Sequence, residues 1–70
     1  MELLRSVGDI MKWNEKMVRL RGSKTVDEVA DAISASPDTY MAYERGDREP
    51  MPRVKEDIAK YFSVKVSDIW

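Results

Sequence analysis

Glycine and proline divide this chain into short pieces. There are three of each, and their positions act as punctuation. Gly22 follows a charged amphipathic stretch, Pro37 opens another, Gly46 closes it, and Pro50 and Pro52 precede the last long one. Between these breaks the apolar residues recur with the period of a helix. Ile10, Trp13, Met17 and Leu20 share one face, which predicts a first helix from about Ile10 to Arg21. Ser6 or Asp9 can cap its start, and Gly22 can take the left-handed conformation that ends it. Residues Met1 to Gly8 either extend this helix or fray from it.

The second helix opens on a capping box, Thr25-Val26-Asp27-Glu28. The threonine accepts from the amide three residues on, and Glu28 reaches back. Val26, Val29, Ala30 and Ile33 form its buried stripe, and Ser34 ends it. Ser36 is a good N-cap for the third helix, with Pro37 at the first helical position, where no amide hydrogen is missed. Asp38 in the first turn favours the helix dipole. Tyr40 and Tyr43 share a face, and Gly46 stops this helix. A fourth starts near Pro52, with Val54 or Lys55, Ile58, Ala59 and Phe62 facing inward. A short fifth, near Val66 to Ile69, closes the domain with Ile69 and Trp70. Five short helices joined by tight turns leave no room for a sheet. The expected fold is all-α, a compact bundle of four to five helices.

The 70 residues suffice for one domain and one modest core. A domain of this size buries only about 60% of its unfolded surface, so its margin of stability is thin. Cysteine and histidine are both missing from the sequence, which excludes disulfides and argues against a structural zinc site. The longest apolar runs fall far short of the ~20 residues a membrane span needs. The N-terminus MELLRSVGDIMKW lacks a basic region followed by an apolar stretch, so no signal peptide is expected and the default location is the cytoplasm. Twelve basic residues face thirteen acidic ones, for a formal net charge of -1. Nucleic-acid binders usually carry a basic surplus, because neutralised phosphates dominate affinity. Net charge is not charge distribution, however, and a near-neutral domain can present one basic face.

Two short helices joined across Ser34-Ala35-Ser36 meet the steric needs of a helix-turn-helix. A small residue inside the first helix, Ala30, lets the second cross close to it. Ser34 stands at the turn, where glycine is the usual choice because positive φ is often required. Tyr40, midway along the second, fills the angle between them.

Thr25-Val26-Asp27-Glu28-Val29-Ala30, Tyr43-Glu44-Arg45-Gly46, Arg48-Glu49-Pro50 and Ile58-Ala59-Lys60-Tyr61-Phe62 together resemble the Cro/repressor (XRE) helix-turn-helix family. The ending Val64-Lys65-Val66-Ser67-Asp68-Ile69-Trp70 resembles that family's closing turn and last helix. The resemblance runs from Ile10 to Trp70. Within the family the chain looks most like the short regulators of phage and bacterial mobile elements, through Trp13-Asn14-Glu15-Lys16 and Leu20-Arg21-Gly22. It implies a single lambda-repressor-like DNA-binding domain over residues 1–70, with the helix-turn-helix at about 25–46. It implies a transcriptional regulator, in the first instance a repressor, acting on double-stranded operator DNA as a homodimer and needing no cofactor. Regulators of this kind often work beside a regulatory protein partner, a metallopeptidase that removes them. The family also pairs a first-helix arginine with the third-helix glutamate. By that pattern Arg21 pairs with Glu44, with Arg19 as the alternative, and the pair is structural: two partly buried charges that must satisfy each other.

In the helix-turn-helix docking mode the third helix lies in the major groove, led by its N-terminal half. Its outward positions are Pro37, Asp38, Met41, Ala42 and Arg45, with Ser36 and Thr39 near the rim. Thr25 and Val26 stand at the second helix's N-terminus, which suits phosphate. Lys24, Arg48 and Arg53 are the basic side chains best placed to flank them. The sequence departs from the family's pattern at several of these positions. Base-reading positions often hold glutamine, asparagine, arginine or serine, but here hold Pro37, Asp38 and Ala42. Val26 replaces a frequent phosphate-gripping glutamine. Proline and alanine offer apolar contact to a thymine methyl, and Asp38 can accept from cytosine N4 while repelling phosphate.

A plainer reading stands beside each of these. Trp13, Tyr40, Tyr43 and Phe62 suit a core better than base stacking. Arg48 and Arg53 could simply solvate a surface beside Asp47, Glu49 and Glu56. Asp38 serves the helix dipole better than it serves readout. Met41 and Trp70 are candidates for an interface. The donor-poor third helix therefore also admits a protein-interaction module that has kept the fold and lost DNA readout. An enzyme is not expected: there is no phosphate-cradling glycine loop, no plausible carboxylate pair and little room for a pocket.

Overall fold

The computed structural model describes residues 11–70. They form five helices: α1 (Trp13–Arg21), α2 (Val26–Ala32), α3 (Pro37–Arg45), α4 (Pro52–Phe62) and α5 (Val66–Ile69). Among the described residues there is no strand, as the punctuation and the helical period require.

The helix ends show how local sequence sets these bounds. α1 begins at Trp13, later than the expected Ile10, with Lys12 at its N-cap. The Glu15 carboxylate accepts from the Lys12 amide at 3.0 Å, so a first-turn acid satisfies the orphan donor that a serine or aspartate cap would otherwise take. The expected caps Ser6 and Asp9, and the segment Met1 to Ile10 as a whole, lie outside the described residues. Gly22 closes α1 at φ +56° and ψ -124°. That is a positive-φ conformation but not the left-handed helical one expected, and it is open to glycine because no Cβ meets the backbone.

Thr25 Oγ1 accepts from the Glu28 amide at 3.1 Å. The exposed Glu28 makes no return bond to Thr25, so only the threonine half of the capping box forms. A carboxylate in water loses little by leaving that bond unmade. α2 ends at Ala32, earlier than expected, with Ile33 as its C-cap; Ser34 follows at φ +57°. Ser36 Oγ accepts from the Thr39 amide at 3.2 Å, and Pro37 takes the first position of α3. Gly46 ends α3 in the left-handed conformation at φ +79°. Ser63 closes α4 in the same way at φ +60°, a turn the sequence reading did not foresee.

The core forms where α3 packs on both α1 and α2 and where α5 bridges α1 and α4. Met17, Val29, Ala30, Tyr40 and Ile58 are wholly buried. Each large apolar side chain so buried contributes about 2 kcal/mol relative to exposure. Ala30 brings no bulk to the α2–α3 crossing, and Tyr40 fills the space that remains. Tyr43 is buried too, and Trp13 and Phe62 pack against the same cluster. Trp70 is not a free interface residue. It packs on the core, its ring 6.1 Å from that of Trp13, with Lys55 Nζ 5.4 Å from the ring on the cation side. No helix among the described residues is long and apolar enough to cross a membrane.

Candidate nucleic-acid interface

The site is built around α3, whose inner edge is fastened to α1 at two points. Arg21, the last residue of α1, donates from Nε to Glu44 Oε2 at 2.6 Å and from Nη2 to Oε1 at 3.1 Å. A two-bond fork of this kind fixes direction as well as distance. The remaining Arg21 nitrogen, Nη1, donates to the Lys24 carbonyl at 2.9 Å, tying the α1–α2 loop into the same knot. The Glu44 hydrogen bond holds the Arg21 guanidinium above its ordinary pKa, against the pull of burial. Arg19, the alternative partner, is exposed.

The second fastening is Asn14. Its side-chain amide donates to the Glu44 backbone carbonyl at 3.0 Å. The same side chain lies against Gly46, where an added Cβ would stand 3.2 Å from the amide carbon. The C-terminal turn of α3 is thus gripped from α1 through both the side chain and the backbone of Glu44. The sequence reading passed over Asn14 except as part of the Trp-Asn-Glu-Lys resemblance. A polar residue three positions before the wholly buried Met17 was the available signal.

Tyr40 and Tyr43 complete the inner edge, with ring centroids 6.5 Å apart and planes at 84°. The Tyr40 hydroxyl is buried with no partner in hydrogen-bonding geometry. Burial, reinforced by the nearby Glu44 carboxylate, pushes its pKa well above the ordinary 10.0.

The outer edge of α3 is the reverse. Pro37, Asp38, Met41 and Arg45 are exposed, with Ala42 partly so. Helical spacing places all five on one face. Met41 keeps 40% of its surface in solvent. Part of the polar capacity on this face is spent within the protein. Arg45 Nε donates to Asp47 Oδ2 at 3.0 Å. At the rim, Ser36 Oγ donates to Thr39 Oγ1 at 2.9 Å while accepting from the Thr39 amide. Asp38 carries the one side-chain carboxylate of α3 that stands exposed.

The flanking residues divide. Lys24 and Thr25 are exposed beside the start of α2, whereas Val26 is half-buried against the core, so of the last pair Thr25 is the one open to a ligand. Asp27 and Glu28 fill the first turn of α2. They occupy the positive end of the helix dipole that a phosphate would otherwise use. With Asp31, Ala35 and Pro37 they line a shallow acidic cleft beside the start of α3. On the opposite flank, Arg53 lines a groove between the α2–α3 turn and α4 with Ser34, Asp57, Lys60 and Tyr61. Of the acids that could neutralise Arg48 and Arg53, Asp47 is held by Arg45 and Glu49 by Lys55. Among the described residues neither Arg48 nor Arg53 forms an ion pair. Around α3, Asp27, Glu28 and Asp31 thus stand on the α2 side, and Arg48 and Arg53 on the α4 side, where Asp57 and Lys60 share the groove of Arg53.

No protein-family model matches the chain, and no solved structure does. Two curated proteins are similar to it. The cryptic phage CTXphi transcriptional repressor RstR of Vibrio cholerae is 31% identical over 52 residues, covering 74% of this chain and 47% of the repressor. The chain thus spans about half the length of that relative. An uncharacterized helix-turn-helix-type transcriptional regulator of Methanocaldococcus jannaschii is 33% identical over 60 residues, covering 86% of this chain and 91% of the regulator. The second match takes in most of both chains, and on that ground the chain belongs to the helix-turn-helix-type transcriptional regulators.

Proposed function

We propose that this protein is a sequence-specific DNA-binding repressor that lays α3 in the major groove. The observation that carries the reading is the asymmetry of α3. Its inner edge is locked to α1 and α2, and its outer edge, Pro37 to Arg45, is left open to solvent. A recognition helix needs this combination, because base readout fails when the reading face is not rigidly aimed. Arg48 and Arg53, without an ion pair among the described residues, serve phosphates, with Lys24 and Thr25 as the second backbone contact. Ser36 and Thr39, already bonded to each other, set the rim. The relative named as a phage repressor supports the sign of regulation. A single α3 touches few bases, so two copies on half-sites one helical turn apart are the working form. The net charge of -1 does not oppose this reading, since Arg48 and Arg53 still offer local positive charge beside α3.

The test is a titration against DNA from upstream of the protein's own gene, with competitor, at two salt concentrations. The expected result is selective binding that weakens with salt. Arg48→Ala and Arg53→Ala should each lower the salt slope by about one while leaving sequence preference intact. Equal, weak binding to all fragments would reject this reading. One observation favours a second: Met51, 73% exposed, and Met41 offer apolar surface of the kind a protein partner covers. Binding to such a partner would be nearly indifferent to salt.

A further inference from the structure

Resting on that DNA reading, we infer that α3 reads its operator chiefly through thymine methyl groups, with Met41, Pro37 and Ala42 as the reading residues and Asp38 as the one hydrogen-bonding reader. In the major groove, bases are distinguished by donors, by acceptors and by the C5 methyl of thymine. A protein face that reads donors and acceptors must present unspent polar groups. This face presents few. Arg45, the one exposed cation on α3, has its Nε committed to Asp47 at 3.0 Å and stands at the C-terminal end of the helix, away from the N-terminal half that leads into the groove. The Ser36 hydroxyl both donates to Thr39 Oγ1 and accepts from the Thr39 amide, so its capacity is committed to capping the helix. Asp38 remains, and a carboxylate can only accept; among base edges in the groove its natural partner is the cytosine N4 amine. What is left is apolar: Pro37 at the first turn, Met41 one turn on, and Ala42 beside it. Met41 is unbranched and polarisable, which lets it settle against a methyl group without strict register. The acidic cleft beside Pro37 works in the same direction, since carboxylates there keep phosphate away and leave the first turn of α3 to the bases.

The predicted half-site therefore carries thymines opposite Pro37 and Met41, and a cytosine opposite Asp38. The experiment starts from a pool of duplexes with a randomised segment, from which the full chain selects its preferred sequence. That duplex is then made again with deoxyuridine at each thymine of the half-site. Deoxyuridine keeps every donor and acceptor and removes only the methyl. Each methyl contacted should cost about fourfold in affinity. In Met41→Ala the penalty at its thymine should shrink towards onefold, and in Asp38→Ala the preference for cytosine should be lost while the deoxyuridine penalties persist. A selected duplex that binds equally well with deoxyuridine overturns the methyl reading and leaves DNA binding standing. A pool from which nothing is enriched above competitor overturns the DNA reading itself. Far-UV circular dichroism of each variant separates lost readout from lost fold.

Discussion

The two edges of α3 use polar side chains in opposite ways. On the inner edge the polar contacts that hold α3 reach across to α1, from Arg21 to the Glu44 carboxylate and from Asn14 to the Glu44 carbonyl, while Arg21 also bonds the Lys24 carbonyl in the next loop. On the outer edge the contacts are local, Ser36 to Thr39 and Arg45 to Asp47, and they silence polar groups instead of joining elements. The lesson is that the inner edge stores orientation and the outer edge stores identity. Substitutions on the first should change stability, and those on the second should change what is bound.

The largest expected break is at Glu44. Glu44→Ala leaves the Arg21 guanidinium, only 22% exposed, without its fork partner. Removing one partner of a largely buried pair costs more than the pair itself contributes, here about 3 kcal/mol. The melting temperature should fall by more than about 10 °C. Arg21→Ala should cost a similar amount, and the double variant less than the sum of the two. Two small and additive losses would show that the fork is a surface pair of little weight. As the contrasting arm, Met41→Ala on the outer edge should change stability by no more than about 0.5 kcal/mol.

Much of the inner edge was legible in the sequence because it rests on short-range rules. Ser36-Pro37 and Gly46 mark the ends of α3 by backbone chemistry alone. Tyr40 and Tyr43 mark its buried face by helical period. The interior choice between Arg19 and Arg21 was not legible by period, since helix spacing does not say which of two nearby arginines meets an acid on another helix. Asn14 shares the buried face with Met17, but its partner was not legible, because that partner is a backbone carbonyl on α3 and sequence marks no carbonyl. The start of α1 was misjudged because the cap is a side chain inside the helix, Glu15, in place of one before it. On the outer edge the residue types were readable, but not their commitments. Nothing in the order of letters says that Arg45 is held by Asp47 while Arg48 forms no ion pair among the described residues.

The next effect in size sharpens the comparison at the end of α3. Gly46 sits at φ +79°, and an added Cβ would meet the Asn14 amide at 3.2 Å. Asn14 cannot retreat without losing its bond to the Glu44 carbonyl. Gly46→Ala should therefore cost about 2 kcal/mol, combining backbone strain with the lost fastening. In Asn14→Ala only the backbone part of that cost should remain. If Gly46→Ala costs the same in both backgrounds, Asn14 is not a fastening.

Ser34, in the turn that precedes α3, also has positive φ, +57°, but carries a side chain. An L side chain there costs about 1–2 kcal/mol, and glycine would relieve it at some cost in unfolded-chain entropy. Ser34→Gly should gain about 0.5–1 kcal/mol, read as a higher urea midpoint at unchanged slope. A loss of stability would mean that the Ser34 side chain, in the groove with Arg53, makes a contact that outweighs its strain.

The smallest effect at neutral pH is at Tyr40, where the inner edge breaks its own rule. Its hydroxyl is buried and finds no partner, whereas the side chains of Arg21, Asn14 and Glu44 are bonded. Tyr40→Phe removes a desolvated group and keeps the ring, so stability should hold or rise by up to about 1 kcal/mol near pH 7. The sharper difference lies in alkali. Burial raises the phenol's pKa in the folded state above its ordinary 10.0, so folding favours the neutral form. That contribution is fully present below pH 10 and is lost as the pH climbs above it towards the folded value. The wild-type urea midpoint should fall from pH 10 upward, and the Phe variant's should fall less. All other ionisable groups are common to both proteins, so the difference between the two curves isolates Tyr40. Parallel curves would mean that the hydroxyl reaches water in solution, and that the inner edge is as fully satisfied at Tyr40 as it is at Glu44.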